Sequence, residues 1–261
     1  MSDSIYLIRI SSQKGGVGKT TVAVNLSALL SIMGYKVLLY DTDFSNPSVG
    51  FHLGLEDVNI GMQSVIYRRT KLQNATVVHE PSGMHVVPCE LNAKSLLTNA
   101  EHYQLFKNDI IKAGYDFVIA DTPPGQFDSE LTGFYDEAVI LTTPDLPALQ
   151  SVLKLAARYD KANLKHSLII NRVKHKNYEI PMRDISGIYG KKPDGMFPES
   201  ELVPISIAKH IPAVMLNSKD PFSKAANTLS EKYVYKTENP ASEGRMPKRS
   251  LFRALLKLLF G

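Results

Sequence analysis

One cysteine, Cys89, stands alone among 261 residues. A single thiol excludes an internal disulfide and any Cys-x-x-Cys metal or iron–sulfur site built by one chain, and it fits a reducing compartment. No uninterrupted apolar run approaches the roughly 20 residues of a membrane span. The opening "MSDSIYLIRI" has no basic segment followed by a long apolar core, so no secretory signal is expected. The seven histidines show no H-x-x-x-H or similar ligand pairing. Internal repeats are absent as well.

What is present is the composition of a globular protein, with 44% hydrophobic and 21% charged residues. The length suffices for one large α/β domain or two small ones. The net charge of +4 is unevenly spread. After Glu243 come Arg245, Lys248, Arg249, Arg253 and Lys257 with no acid among them; removing those five cations from +4 leaves the rest at −1. A nearly neutral body argues against broad electrostatic binding of nucleic acid.

Short apolar runs alternate with longer amphipathic segments. Strands are expected near 5–11, 36–41, 84–88, 115–121, 137–142 and 166–171, with a shorter one near 193–197. They are rich in Val, Ile and Leu without polar alternation, as in parallel strands buried on both faces. Helices are expected over 19–33, 102–113, 146–162, 201–209 and 219–235, with Asp145 as an N-cap. This alternation predicts an α/β fold, a doubly wound and mostly parallel sheet flanked by helices, with its ligand site at the carboxyl ends of the strands. Segment 236–247, polar with Pro, Gly and Ser, reads as a linker. Three parts are therefore expected: a domain over 1–235, the linker, and a terminal amphipathic helix over 248–261.

The segment "SSQKGGVGKTT" follows the first expected strand and opens an apolar helix. Gly18, Lys19 and Thr20 match the end of the phosphate-loop pattern G-x-x-x-x-G-K-[ST], but Gln13 replaces its first glycine. The chemistry survives that change. Gly15, Gly16 and Gly18 let backbone N–H groups close around phosphate oxygens, and Val17 and Thr21 complete the loop and the helix entry. Lys19 would neutralise β- and γ-phosphates and Thr20 would offer a hydroxyl to Mg²⁺. Lys14 is one lysine more than a phosphate loop needs.

This stretch resembles the deviant Walker A motif of the MinD/ParA family of ATPases. The resemblance implies a Mg²⁺-dependent, partner-stimulated ATP hydrolase that passes from ATP to ADP. Lys14 would then reach across a two-fold interface to phosphates held by a second copy, so that ATP joins a homodimer; otherwise it is a solvated lysine beside the loop. In "LLYDTDFSNPS", Asp41 and Asp43 fall where the family keeps its first switch. Asp43 would orient or deprotonate the attacking water and lie near the metal; the alternative is that these acids cap a loop. This wording is closer to the Mrp-like branch than to MinD. "YDFVIADTPPG" resembles a Walker B strand ending in Asp121, which would hold a Mg²⁺-bound water, with Thr122 to Gly125 as second switch. Asn171, at a strand end in "LIINRV", matches the family's adenine-reading asparagine, or simply ends a strand. The backbone at Pro198 and Glu199 matches the segment that packs on the base.

The family's branches differ in what they bind. Iron–sulfur carriers need at least two cysteines per subunit, which Cys89 alone does not supply. DNA-partitioning ParA ATPases are the rival reading, with Arg158, Lys161, Lys165, Arg172, Lys174 and Lys176 as DNA-facing candidates or as a solvated face. A nucleotide-dependent scaffold that scarcely hydrolyses ATP is another. The tail favours the MinD branch. On a helical wheel Leu251, Phe252, Leu255, Leu256, Leu258 and Leu259 cover one side, and Arg249, Arg253 and Lys257, spaced by four, cover the other. That is the pattern of an interfacial membrane helix, and it resembles the membrane-targeting helix of MinD; the alternative is a helix docked on the body or a partner. The expectation is a cytoplasmic ATPase, peripheral on the inner face of the cell membrane. It would bind an anionic membrane surface and an unidentified protein activator or cargo, and position cell division or another polar apparatus.

Overall fold

In the computed structural model, residues 5–91, 100–127 and 129–238 are described. Their elements run in the order β1 (Tyr6–Ser11), α1 (Lys19–Ile32), β2 (Val37–Asp41), α2 (Val49–Leu53), α3 (Met62–Ile66), α4 (Leu72–Ala75), β3 (Val77–His79), β4 (Met84–Val87), α5 (Ala100–Ala113) and β5 (Phe117–Asp121). A 3₁₀ turn (Ser129–Phe134) leads to β6 (Glu137–Thr142), α6 (Leu146–Lys161), β7 (Lys165–Val173), α7 (Met182–Tyr189), β8 (Gly195–Pro198), α8 (Leu202–Ala208), α9 (Ala213–Leu216) and α10 (Pro221–Glu238). The strands form one sheet in the order β3-β4-β2-β5-β1-β6-β7-β8. All neighbours are parallel except β3 and β4.

Alternate residues of the central strands feed two cores. Leu7, Tyr40, Val118 and Ile140 point to the side where Phe106, Ile110, Val152, Leu155 and Tyr159 of α5 and α6 pack. Ile8, Ile10, Leu39 and Ile119 point to the other side, against Leu26 and Leu29 of α1 and Phe222, Leu229 and Tyr233 of α10. Burial on both faces is why these strands read as continuous apolar runs. The chain steps from β1 to one side through β2 and later returns to the other side of β1 through β6, so the crevice at the carboxyl end of β1 is the switch point of the winding.

Every strand and helix expected within the described residues is found, with small shifts at the ends. Asp145 caps α6 as expected, its side chain accepting from the Ala148 N–H at 2.9 Å. The antiparallel edge strand β3, α7 and the short helices α2, α3, α4 and α9 had no clear sequence signal. Three residues, Val77 to His79, are too few to display a period, and Gly187 interrupts the pattern of α7. Asn171 does not end its strand: β7 continues to Val173, with an irregularity in pairing between Ile170 and Val173. The helix α10 runs to Glu238, beyond the expected end at 235. The rest of the linker and the amphipathic tail, including Arg249, Leu251, Phe252, Arg253, Leu255, Leu256, Lys257, Leu258 and Leu259, lie outside the described residues.

Candidate active site

The loop between β1 and α1 is shaped by its glycines. Gly16 and Gly18 have φ of 73° and 93°, where a side chain is strained. At Gly18 space forbids one as well, because a Cβ would lie 2.3 Å from Asn171 Nδ2. The N-terminus of α1 has neither a side-chain cap nor an acidic residue in its first turn. Its N–H groups and dipole are thus left for an anion. Lys19 is buried at 9% exposure, and among the described residues no carboxylate is within ion-pair distance of it. A desolvated cation at an uncapped helix start suits phosphate.

Beneath the loop, β2 and β5 bring Asp41 and Asp121 into register as neighbours. The two carboxylates have different work. Asp41 accepts backbone N–H groups of Asp43 (2.9 Å), Ser48 (2.9 Å) and Val49 (3.1 Å), so it shapes the loop that follows β2. That is the capping role the sequence left open for it. Asp121 accepts the Thr20 hydroxyl at 2.5 Å through Oδ2, while its buried Oδ1 has no hydrogen-bond partner among the described residues. Ser48 Oγ lies 2.7 Å from Thr20 Oγ1. Burial pushes both carboxyls above the ordinary range, reinforced at Asp121 by the negative charge of Asp41.

An unpartnered carboxylate oxygen beside two hydroxyls is a donor set for a hard cation of the Mg²⁺ kind. The residues present therefore fit the metal that the phosphate loop implies. Thr20 and Asp121 would hold it; Ser48 is an addition that sequence reading missed.

Asp43 is buried at 8% exposure on the loop after β2, expected as the first switch, and accepts the Asn46 N–H at 3.0 Å through Oδ1. The segment after β5, expected as the second switch, is tied to the end of β1 and the residue that follows it: Gly125 N–H donates to Ser12 O (2.8 Å) and the Thr122 hydroxyl to Ile10 O (2.7 Å). Cys89 donates to Asp41 O at 3.3 Å, and burial raises its thiol far above the usual range. It is a packed, unreactive thiol.

Lys14 sits on the rim at 43% exposure, and its ammonium is 3.6 Å from Asp145 at the start of α6. Asn171 is buried and donates from Nδ2 to Val17 O at 2.7 Å, bracing the phosphate loop. Pro198 ends β8; Glu199 N–H donates to Val173 O (2.9 Å) and its carboxylate lies 3.9 Å from Arg172. The loop residues Lys14 to Thr21, Asp43, Asp121 and Asn171 thus gather at one end of the sheet. Of the basic set from Arg158 to Lys176, Arg172 pairs with Glu199 and Arg158 lies over Phe127.

Comparison with known proteins agrees with this geometry. A family profile described as an AAA domain matches residues 5–170. The septum site-determining protein MinD of Synechocystis is 30% identical over 222 residues, covering 80% of this chain and 82% of that one. The chain belongs to the MinD/ParA family of P-loop ATPases. The solved structure of the septum site-determining protein MinD of Pyrococcus horikoshii, complexed with Mg-ADP, superposes with a TM-score of 0.78 at 27% identity, covering 92% of this chain and 100% of that chain. A ParA family ATPase from Chlorobium tepidum shares the fold at 20% identity, with a TM-score of 0.73 over 87% of this chain and 98% of its own. Membership in the MinD/ParA family makes this an ATP-hydrolysing enzyme built on the loop described above.

Proposed function

We propose that this MinD/ParA ATPase is a MinD-type switch. ATP with Mg²⁺ closes a homodimer, the paired tails bind an anionic membrane surface on the inner face of the cell membrane, and slow, partner-stimulated hydrolysis releases it. Its purpose is placement of the division site or another polar apparatus, the role that the names of its MinD relatives carry.

The observation that carries this reading is the position of Lys14. A cation needed by its own phosphate loop would be held there, as Lys19 is. Lys14 instead lies on the rim, in an ion pair whose partners are 43% and 47% exposed. Pairs of that kind contribute at most about 1 kcal/mol, so exchange of Asp145 for a phosphate in a second copy is cheap. Two such lysines facing each other would repel unless nucleotide phosphates lay between them.

Within one subunit, Lys19 and the uncapped start of α1 hold the phosphates. Mg²⁺, when bound, supplies positive charge against them, and Thr20 and Asp121 would hold it. Asp43, fixed through one oxygen, would orient the attacking water or accept its proton with the other. Asn171 has one N–H committed to Val17, and its acceptor Oδ1 would suit the exocyclic amino group of adenine. The backbone at Pro198 and Glu199 would flank that base.

Lys14→Ala should abolish ATP-dependent dimerisation, followed by light scattering, and hydrolysis with it. Nucleotide titration of the monomer should be unchanged, whereas Lys19→Ala weakens nucleotide binding itself. A Lys14→Ala protein that still dimerises with ATP would overturn the reading. Co-sedimentation of wild type with DNA and not with anionic vesicles would favour a ParA-type partition ATPase.

A further inference from the structure

Arg9 lies in the middle of β1 at 2% exposure. It shares its level of the sheet with Ala120 of β5 and Ala138 of β6, whose small side chains leave room beside it. Among the described residues no carboxylate is within ion-pair distance of it. Burying a cation without a counter-ion is unfavourable unless other groups replace its hydration. Here they do. Nε donates to Ser11 Oγ at 3.0 Å and a terminal nitrogen donates to Gln126 O at 3.2 Å. The guanidinium lies 5.2 Å from the ring centre of Tyr135 and 5.6 Å from that of Tyr159. The Tyr159 hydroxyl donates to the same Ser11 Oγ at 2.8 Å.

The two atoms that Arg9 bonds are the two that matter for the site's loops. Ser11 is the last residue of β1, immediately before the phosphate loop. Gln126 follows Gly125, whose own N–H is bonded to Ser12 O. The end of the expected second switch, Gly125, and the residue after it, Gln126, are thus fastened in succession, once by backbone and once by the arginine. A residue that only filled volume would need neither donor.

We propose that Arg9 is a positioning residue: it fastens the second switch loop to the strand that carries the phosphate loop, and so sets turnover without touching nucleotide. The proposal rests on the ATPase reading above. Its test uses the full chain as Arg9→Met, which keeps the volume and removes both donors, and Arg9→Lys, which keeps the charge and one donor.

Arg9→Met should speed exchange of the Thr122, Gly125, Gln126 and Phe127 amides about tenfold or more, as expected when hydrogen bonds fixing a loop are lost, with exchange in α1 unchanged. Turnover should fall about tenfold or more with little change in KM, the signature of misplacement after binding. Arg9→Lys should recover part of both. If Arg9→Met does not fold, Arg9→Lys and Ser11→Ala, which removes the Nε acceptor, must show the same effects at smaller size. Unchanged exchange at Thr122 and Gly125 to Phe127, or exchange raised equally throughout the sheet and α1, would overturn the proposal. If wild type does not hydrolyse ATP, the ATPase reading fails by itself and the exchange measurement still decides the role of Arg9.

Discussion

Two carboxylates side by side under a phosphate loop make the nucleotide-free site electrostatically uncomfortable. Asp121 is pushed up to about 8 and Asp41 to about 6, from an ordinary value of 3.8, first by burial; the charge of Asp41 raises Asp121 further, against the Thr20 hydroxyl and Lys19, which lower it. The sign follows from linkage. A carboxyl whose folded value is raised lends stability in full below 3.8, and that stability is lost as pH rises through the folded value. The melting temperature of nucleotide-free protein should therefore fall as pH rises from 3.8 to about 8, most steeply below about 6 where both carboxyls contribute, and these two groups add no further loss above that. Buried His52, lowered to about 4, acts in the opposite sense, but only below its ordinary 6.5. Above about 9 the raised Cys89 thiol and the raised hydroxyls of Tyr6, Tyr40 and Tyr233 add a decline of their own; between 6.5 and about 8 the decline belongs to Asp121. Asp121→Asn should flatten it in a series of thermal melts, and Mg²⁺ with ADP should flatten it in wild type. An unchanged slope between 6.5 and about 8 in Asp121→Asn would show that the carboxylates are not its source.

Among the elements, the union of β6 with α10 is the one whose chemistry is unusual for a packed helix. Glu137 of β6 is buried at 3% exposure and accepts from Lys236 of α10 at 2.5 Å, the Tyr6 hydroxyl at 2.8 Å and the Tyr233 hydroxyl at 3.1 Å. Burial would raise its carboxyl, but Lys236 and Tyr6 more than offset this and hold it below the ordinary range. Replacing one partner of such a pair strands the other. Lys236→Met leaves a buried carboxylate and should cost about 3–5 kcal/mol at neutral pH; denaturant unfolding measures it. Lys236→Met with Glu137→Gln should recover part of that loss, because the stranded charge is gone. A single Lys236→Met variant as stable as wild type would mean that the packing of Phe222, Leu229 and Tyr233 alone holds α10.

For the whole molecule, the proposed readout of dimerisation is avidity. One short amphipathic helix binds an anionic surface weakly, at ~1 kcal/mol for each basic residue. Two on one dimer bind through effective concentration, with gains of about 10²–10⁴ in affinity. Deleting residues 246–261 should abolish flotation with anionic vesicles in ATP while leaving ATP-dependent dimerisation and the melting temperature intact. If the tail instead packs on the body, the truncation lowers the melting temperature and leaves vesicle binding little changed. No helix among the described residues is long and apolar enough to cross a membrane, so this measurement addresses the tail alone.

What the sequence determined was whatever is written in contiguous residues. Lys14 to Thr21 declared a phosphate loop, Asp121 after four apolar residues declared its partner strand, and the Val, Ile and Leu runs declared a parallel sheet buried on both faces. These were legible because backbone conformation and burial impose local patterns: glycine where φ is positive, apolar residues without alternation where both faces are covered. The tertiary structure decided the rest. Only the register of β2 with β5 sets Asp41 beside Asp121 and leaves Oδ1 unpartnered. Only the fold brings Ser48 to Thr20, Asp145 to Lys14, and Asn171 to Val17 across 154 residues of chain. In "LIRI", Arg9 was one polar letter in an apolar strand, and nothing near it announced Ser11, Gln126 and two tyrosines as its surroundings. A side chain's neighbours across a sheet are set by strand order and register, which depend on the packing of the entire chain. Local pattern carries no information about them.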